Sequence, residues 1–280
     1  MFNWTQAGLK SFSAATLLTA SIAAGGQAYA EVAGLPGTDD PAARGLAIAQ
    51  ETDRRDLGWG DSKANMKMLL TNAYGETSER EMRFLSLERT DPDIGDWGLI
   101  VFDKPRDVDG TTLLTYAKIL EPDDQWMYLP AVKRVKRISS VNKSGPFMGS
   151  EFAFEDFSAT EVGKFSYKWL RDEPCGDRQC HVVERVPLYE HSGYTRQVSW
   201  IDTTDYQSRK LDYYDRKGDL LKTLEFGDYR FYQDKYWRAH DLYMVNHTTK
   251  KTTRLTWQAY EFMAGLDEAD FNKNSLKRNR

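Results

Sequence analysis

Glu155 and Asp156 stand side by side in this chain. A pair of carboxyls can act as general acid and general base. Neighbouring side chains diverge, however, so these two do not face one reacting bond. The histidines His181, His191, His240 and His247 are scattered over three predicted segments, and each reads as structural. Metal-ligand motifs of the His-Glu-x-x-His or Cys-x-x-Cys type are missing, as are the Gly-x-Ser-x-Gly elbow and the Gly-rich phosphate loops. The reading is of a non-enzyme, with no catalytic residue, no metal and no cofactor.

The other chemistry-bearing feature lies just upstream. Lys133, Arg134, Lys136 and Arg137 form a dense basic run. A break at Gly145 and a cluster of Phe147, Phe152, Phe154 and Phe157 follow it. Such a run in isolation suggests a polyanion, but the chain carries a formal charge of −4. Nucleic-acid binders usually have a basic balance, so nucleic acid is not expected as a partner.

The compartment argues the same way. Residues 1–30 read as a secretory signal peptide, with Lys10 as the only charge, an apolar run from Phe12 to Ala24, and Ala28-Tyr29-Ala30 as the cleavage site. The apolar run is shorter than the ~20 residues a membrane span needs. No Cys follows the cleavage site to carry a lipid anchor. The expectation is a soluble periplasmic protein spanning residues 31–280 as one domain. Cys175 and Cys180 are the whole cysteine complement, with the turn-like Gly176-Asp177-Arg178-Gln179 between them. An even count in an exported chain predicts a bridge between them at a hairpin end, with α-carbons within ~7 Å.

What must position these residues is mostly strand. One helical signal appears early, where Asp40 can cap, Pro41 suits the first helical position and Ala42 to Arg55 contain good helix formers. From Met66 to Phe262 the periodicity is mostly 2, with turn residues between runs. Met66, Met68 and Leu70 alternate with Lys67 and Thr71; Trp97 to Phe102 is apolar on both faces; Asp267 to Phe271 reads as a short terminal helix. The fold class is mainly β: a single domain with about a dozen antiparallel strands, strongly curved, with helices lidding an apolar cavity. Trp97, Trp126, Trp169, Trp200, Trp237 and Trp257 all fall on predicted strands.

The run Trp126 to Ile138, followed by Phe147-Met148-Gly149-Ser150-Glu151-Phe152 and Phe154-Glu155-Asp156-Phe157, resembles the LolA-like family of periplasmic outer-membrane lipoprotein-sorting proteins. Trp97 to Phe102 and Asp107 to Thr111 resemble it too, and the likeness extends from about Ala43 to Lys277. The resemblance implies an open, incomplete barrel lidded by helices. It also implies a carrier of a lipid or lipidated protein, of the type associated with RND/MMPL exporters. The alternative is an envelope assembly or scaffold protein of the same fold that binds a protein partner and no lipid.

The residues assigned to ligand binding are Met66, Met68, Leu70, Phe84, Trp97, Leu99, Phe152 and Phe157. If the basic run is a strand, Arg134 and Lys136 share a face with Val132 and Ile138. The expectation is then a latch, with Arg134 or Arg137 paired to Glu155 or Asp156 and holding the Phe-rich segment over the cavity. The alternative is a solvated basic face.

Overall fold

A computed structural model describes residues 39–91 and 94–277. The leader assigned to residues 1–30 lies outside the described residues. All the described residues belong to one compact unit, residues 35–280.

The helix α1 (Pro41–Asp56) starts where its caps require. The Asp40 carboxylate accepts the Ala42 N–H at 2.9 Å, and Pro41 takes the first turn, where its missing N–H costs nothing. Thirteen strands follow among the described residues. The first six are β1 (Asp61–Thr71), β2 (Thr77–Leu87), β3 (Ile94–Lys104), β4 (Thr112–Lys118), β5 (Asp124–Leu129) and β6 (Arg134–Ile138). The remaining seven are β7 (Phe165–Cys175), β8 (Arg178–Pro187), β9 (Arg196–Asp202), β10 (Ser208–Tyr214), β11 (Leu220–Tyr232), β12 (Tyr236–Asn246) and β13 (Thr252–Phe262). They form one antiparallel sheet in the order β6-β5-β4-β3-β2-β1-β13-β12-β11-β10-β9-β8-β7. Each strand pairs with its neighbour in sequence, except that β1 pairs with β13 and the terminal strands β6 and β7 do not meet. The sheet therefore curves strongly without closing, and it is not a barrel.

Two segments cover its concave side. The first is α1, which lies on β7. Gly45 is the contact point, since a Cβ there would sit 2.6 Å from the Trp169 amide nitrogen. Arg44 pairs with Asp172 at 2.7 Å and stacks on the Trp169 ring, which fixes the helix laterally. Ile48 packs on Val183, Ile201 and Tyr206. The second is residues 144–160, between β6 and β7. This segment is a tight hairpin rather than a helix: Pro146 bridges Ala153, the Phe147 N–H reaches the Phe152 carbonyl at 2.7 Å, and Phe154–Phe157 make a 3-10 turn. It is called the plug below.

The plug fills the end of the concave face where β1 and β12 finish and β11 and β13 begin. Phe147 is fully buried there, with its ring centroid 5.7 Å from Phe102, 5.4 Å from Phe154 and 4.5 Å from Phe157. The main core gathers around it and includes Met66, Met68, Met82, Ile100, Leu113, Met244 and Leu255. A smaller core lies on the opposite face of β3 to β5, where Phe271 and Leu276 cover Leu99, Val101, Leu114 and Tyr128. The expected helix at Asp267–Phe271 is a turn instead. The Asp267 carboxylate takes the Ala269 N–H at 2.7 Å and the Asp270 N–H reaches the Asp267 carbonyl at 3.1 Å, which closes a single turn.

Cys175 and Cys180 form the expected disulfide, with α-carbons 5.8 Å apart, at the β7–β8 turn.

Candidate functional site

A cavity of about 590 Å³ lies between α1, the inner end of the plug and the concave sheet. Its floor is the top of the plug and core, formed by Phe152, Phe157, Met66, Leu211, Leu224 and Leu255. Its walls come from the strand ends opposite the plug: Phe84, Trp97, Tyr167, Tyr229, Trp237 and Trp257. Ala49, Thr52, Asp53 and Asp56 of α1 roof it. Strands from β1 to β13, excluding only β5 and β6, contribute to this one space. The pronounced curvature of the sheet makes that possible.

The cavity is apolar toward the plug and acidic beneath the helix. Asp56 pairs with Arg238. Asp96 accepts the Arg89 N–H at 2.8 Å, and Glu161 accepts the Asp96 N–H at 2.9 Å. Burial pushes the Asp96 carboxyl up to about 7, and the charges of Glu161, Glu88 and Asp56 add to the rise. Asp53 is also raised, by burial first and then by the same acidic neighbours.

Beneath the floor, two carboxylates tie the plug into the sheet. Asp156 receives the Lys222 ammonium at 2.6 Å, with both side chains 4% exposed. It also accepts the Tyr194 hydroxyl at 2.8 Å and the Ala153 N–H at 2.7 Å. Glu155 turns the other way and accepts the Gly193 N–H at 2.8 Å and the Ser192 hydroxyl at 3.0 Å. A Cβ at Gly193 would stand 2.7 Å from the Glu155 carboxylate, so only glycine admits this approach. Burial, with the Asp156 charge, pushes the Glu155 carboxyl up to about 7. A further polar knot holds the plug's exit: Lys164 donates to Asp123 at 2.8 Å, and Ser158 donates to the same carboxylate at 2.6 Å. Lys143, at the plug's entry, donates to the Asp123 carbonyl, and burial lowers its ammonium to about 8.

The structure brings together only some of the residues expected to bind ligand. Met66, Phe84, Phe152 and Phe157 line the cavity. Trp97 borders it, but its ring stacks on Tyr116 at 4.2 Å and tilts against Phe271. Met68 and Leu70 are on the expected face but at the plug end, where they belong to the solid core. Leu99 sits in the core of the opposite face, under Phe271 and Leu276. It alternates with Ile100 and Phe102, which take the concave side.

The expected latch is wired differently. Arg137 pairs with Asp124, and Arg134 is exposed on β6. Neither reaches Glu155 or Asp156, because a buried carboxylate needs a cation that is buried with it, and the edge strand β6 faces solvent. Lys222 supplies that cation. Its signal was present in the sequence, since Leu220, Lys222 and Leu224 share one parity and place a charge in a core-facing row.

A family model described as an uncharacterized protein matches residues 95–278. A search of the curated proteins found no match. Among solved structures, a domain from Vibrio parahaemolyticus named for outer membrane lipoprotein sorting is 54% identical, with a TM-score of 0.82 over 85% of this chain and 100% of that one. A DUF1329 family protein from Desulfovibrio piger is 29% identical, with a TM-score of 0.80 over 85% and 99%. A LolA superfamily protein from Nitrosomonas europaea shares the fold at 16% identity, with a TM-score of 0.66 over 82% and 98%. None of these three is named for a catalytic activity. The chain belongs to the same family as the Vibrio parahaemolyticus domain named for outer membrane lipoprotein sorting, and it has the fold of the LolA superfamily protein.

Proposed function

We propose that this protein is a periplasmic carrier that holds a lipid, or the acyl part of a lipidated protein, in the cavity between α1 and the plug. It passes that cargo between envelope components, with an RND/MMPL-type exporter as one of them. The observation that carries the reading is the cavity itself. At about 590 Å³ it falls in the ~300–1,000 Å³ range of small-ligand sites, and its deep end is apolar and aromatic. Each methylene buried there would contribute roughly 0.8 kcal/mol. The relative from Vibrio parahaemolyticus supports the cargo class, and the Cys175–Cys180 bridge supports an oxidising compartment. No step in this role requires a bond to be made or broken, so the protein is read as a non-enzyme.

Native mass spectrometry of the purified protein, followed by solvent extraction, tests the reading. The expected result is a co-purifying lipid that is lost when Phe84→Arg or Leu242→Arg places a charge against the cavity wall. A lipid-free wild-type protein that instead retains a protein partner would replace the carrier with a scaffold.

A further inference from the structure

The basic run that failed as a latch remains without a role. On β6 and the turn before it, Lys133, Arg134, Lys136 and Arg137 are all exposed. Asp124 engages Arg137, and also Lys118. The nearby Asp123 is turned inward, to Lys164 and Ser158. The edge is therefore locally positive on a chain whose formal charge is −4. It is also a true edge, because β6 ends the sheet order. Large apolar side chains project singly on either side of it: Val132 at one end of the strand, 53% exposed, and Val141 at the other, 56% exposed. Leu120, 64% exposed, lies in the β4–β5 turn, at the same end of the β5–β6 hairpin as Val141.

Basic groups flanked by isolated apolar tips suit one partner well. Cations attract an anionic headgroup layer, and the tips enter the boundary between headgroups and acyl chains. Lysine and arginine along an edge also discourage the addition of a neighbouring strand, which makes a pairing peptide the weaker fit. We propose that the β6 edge, with Val132, Val141 and Leu120, docks this protein on an anionic phospholipid bilayer surface. Neither β5 nor β6 lines the cavity, so this edge is separate from the proposed cargo site.

The test is co-sedimentation of the purified protein with vesicles of phosphatidylcholine alone, and with vesicles that include phosphatidylglycerol. The expected result is binding to the anionic vesicles only, abolished by molar salt. Removing one surface cation should weaken binding roughly fivefold. The triple variant Lys133→Ser, Arg134→Ser, Lys136→Ser should therefore bind at least tenfold more weakly while keeping the wild-type melting temperature. The control is Lys217→Ser, Lys250→Ser, Lys251→Ser, which removes the same charge from exposed sites elsewhere and should bind like wild type. Equal loss in both triple variants would reduce the effect to net charge and overturn the proposal. Absence of binding to anionic vesicles at low salt, or equal binding to both vesicle types, would overturn it as well. So would capture of polyglutamate through the same residues by a protein that ignores vesicles.

Discussion

The two ends of the concave face are built from the same strands and reach opposite outcomes. At the plug end the hairpin 144–160 fills the space to closure, with Phe147 at its centre and Asp156–Lys222 beneath. At the other end α1 stands off, and about 590 Å³ stays open under an acidic roof. The difference lies in what descends onto the sheet. A hairpin can send four Phe side chains downward and satisfy its backbone within itself. A helix keeps its apolar stripe on one side, and α1 spends that stripe on β7 to β9 rather than on the cavity. One end is thus packed solid, and the other is left open.

If that contrast is right, perturbations at the plug end should be the most costly. Phe147→Ala should destabilise by about 3–5 kcal/mol in denaturant unfolding, because the surrounding rings have no room to collapse. Lys222→Met should cost about 3–5 kcal/mol by leaving Asp156 charged and buried without its cation. A smaller loss there would mean that the plug is loosely seated.

The pH response separates the ends. The carboxyls of Glu155, below the plug, and Asp96, beside the cavity, both sit near 7, above their ordinary values. The stability linked to their protons is fully present below about pH 4, where both are protonated folded or unfolded. It is lost as pH rises through about 7. Unfolding free energy from these groups should therefore fall between about pH 4 and pH 7, by roughly 3–4 kcal/mol for each. Glu155→Gln and Asp96→Asn should each flatten part of that slope, and a parallel profile in either variant would break the assignment. At the cavity end, Leu242→Ala should cost only about 1–2 kcal/mol, since it enlarges a space that already exists. Arg134→Ala, on the exposed edge, should stay within about 0.5 kcal/mol.

Much of the architecture was legible because strands with one buried face announce themselves. The period-2 rows gave the strand count closely, Asp40 and Pro41 marked the helix start, and two cysteines bracketing a turn marked a hairpin end. The site was less legible, for three physical reasons. Parity tells which face a residue takes but not which end of the sheet receives the plug, so Met68 and Leu70 were placed on the right face and in the wrong space. Trp97 to Phe102 is apolar on both sides, because both faces of β3 are covered, and Leu99 could not be assigned from pattern alone. The cation for Asp156 stands 66 residues away in sequence, while the conspicuous cations next to the plug are spread along an edge in water.

The strand order has a consequence for how the chain comes to be. β1 to β6 form one meander and β7 to β13 another, and the two are joined in the sheet by a single seam between β1 and β13. Every other pairing is between sequence neighbours and can form as the chain emerges. The seam must wait for β13, the last of the described strands, since it joins partners separated by nearly the whole domain. Until β13 arrives, β1 and β12 each present an unpaired edge, and the hydrophobic faces of both meanders lack their final curvature. A chain released early would therefore expose two sticky half-sheets rather than a smaller version of the same fold.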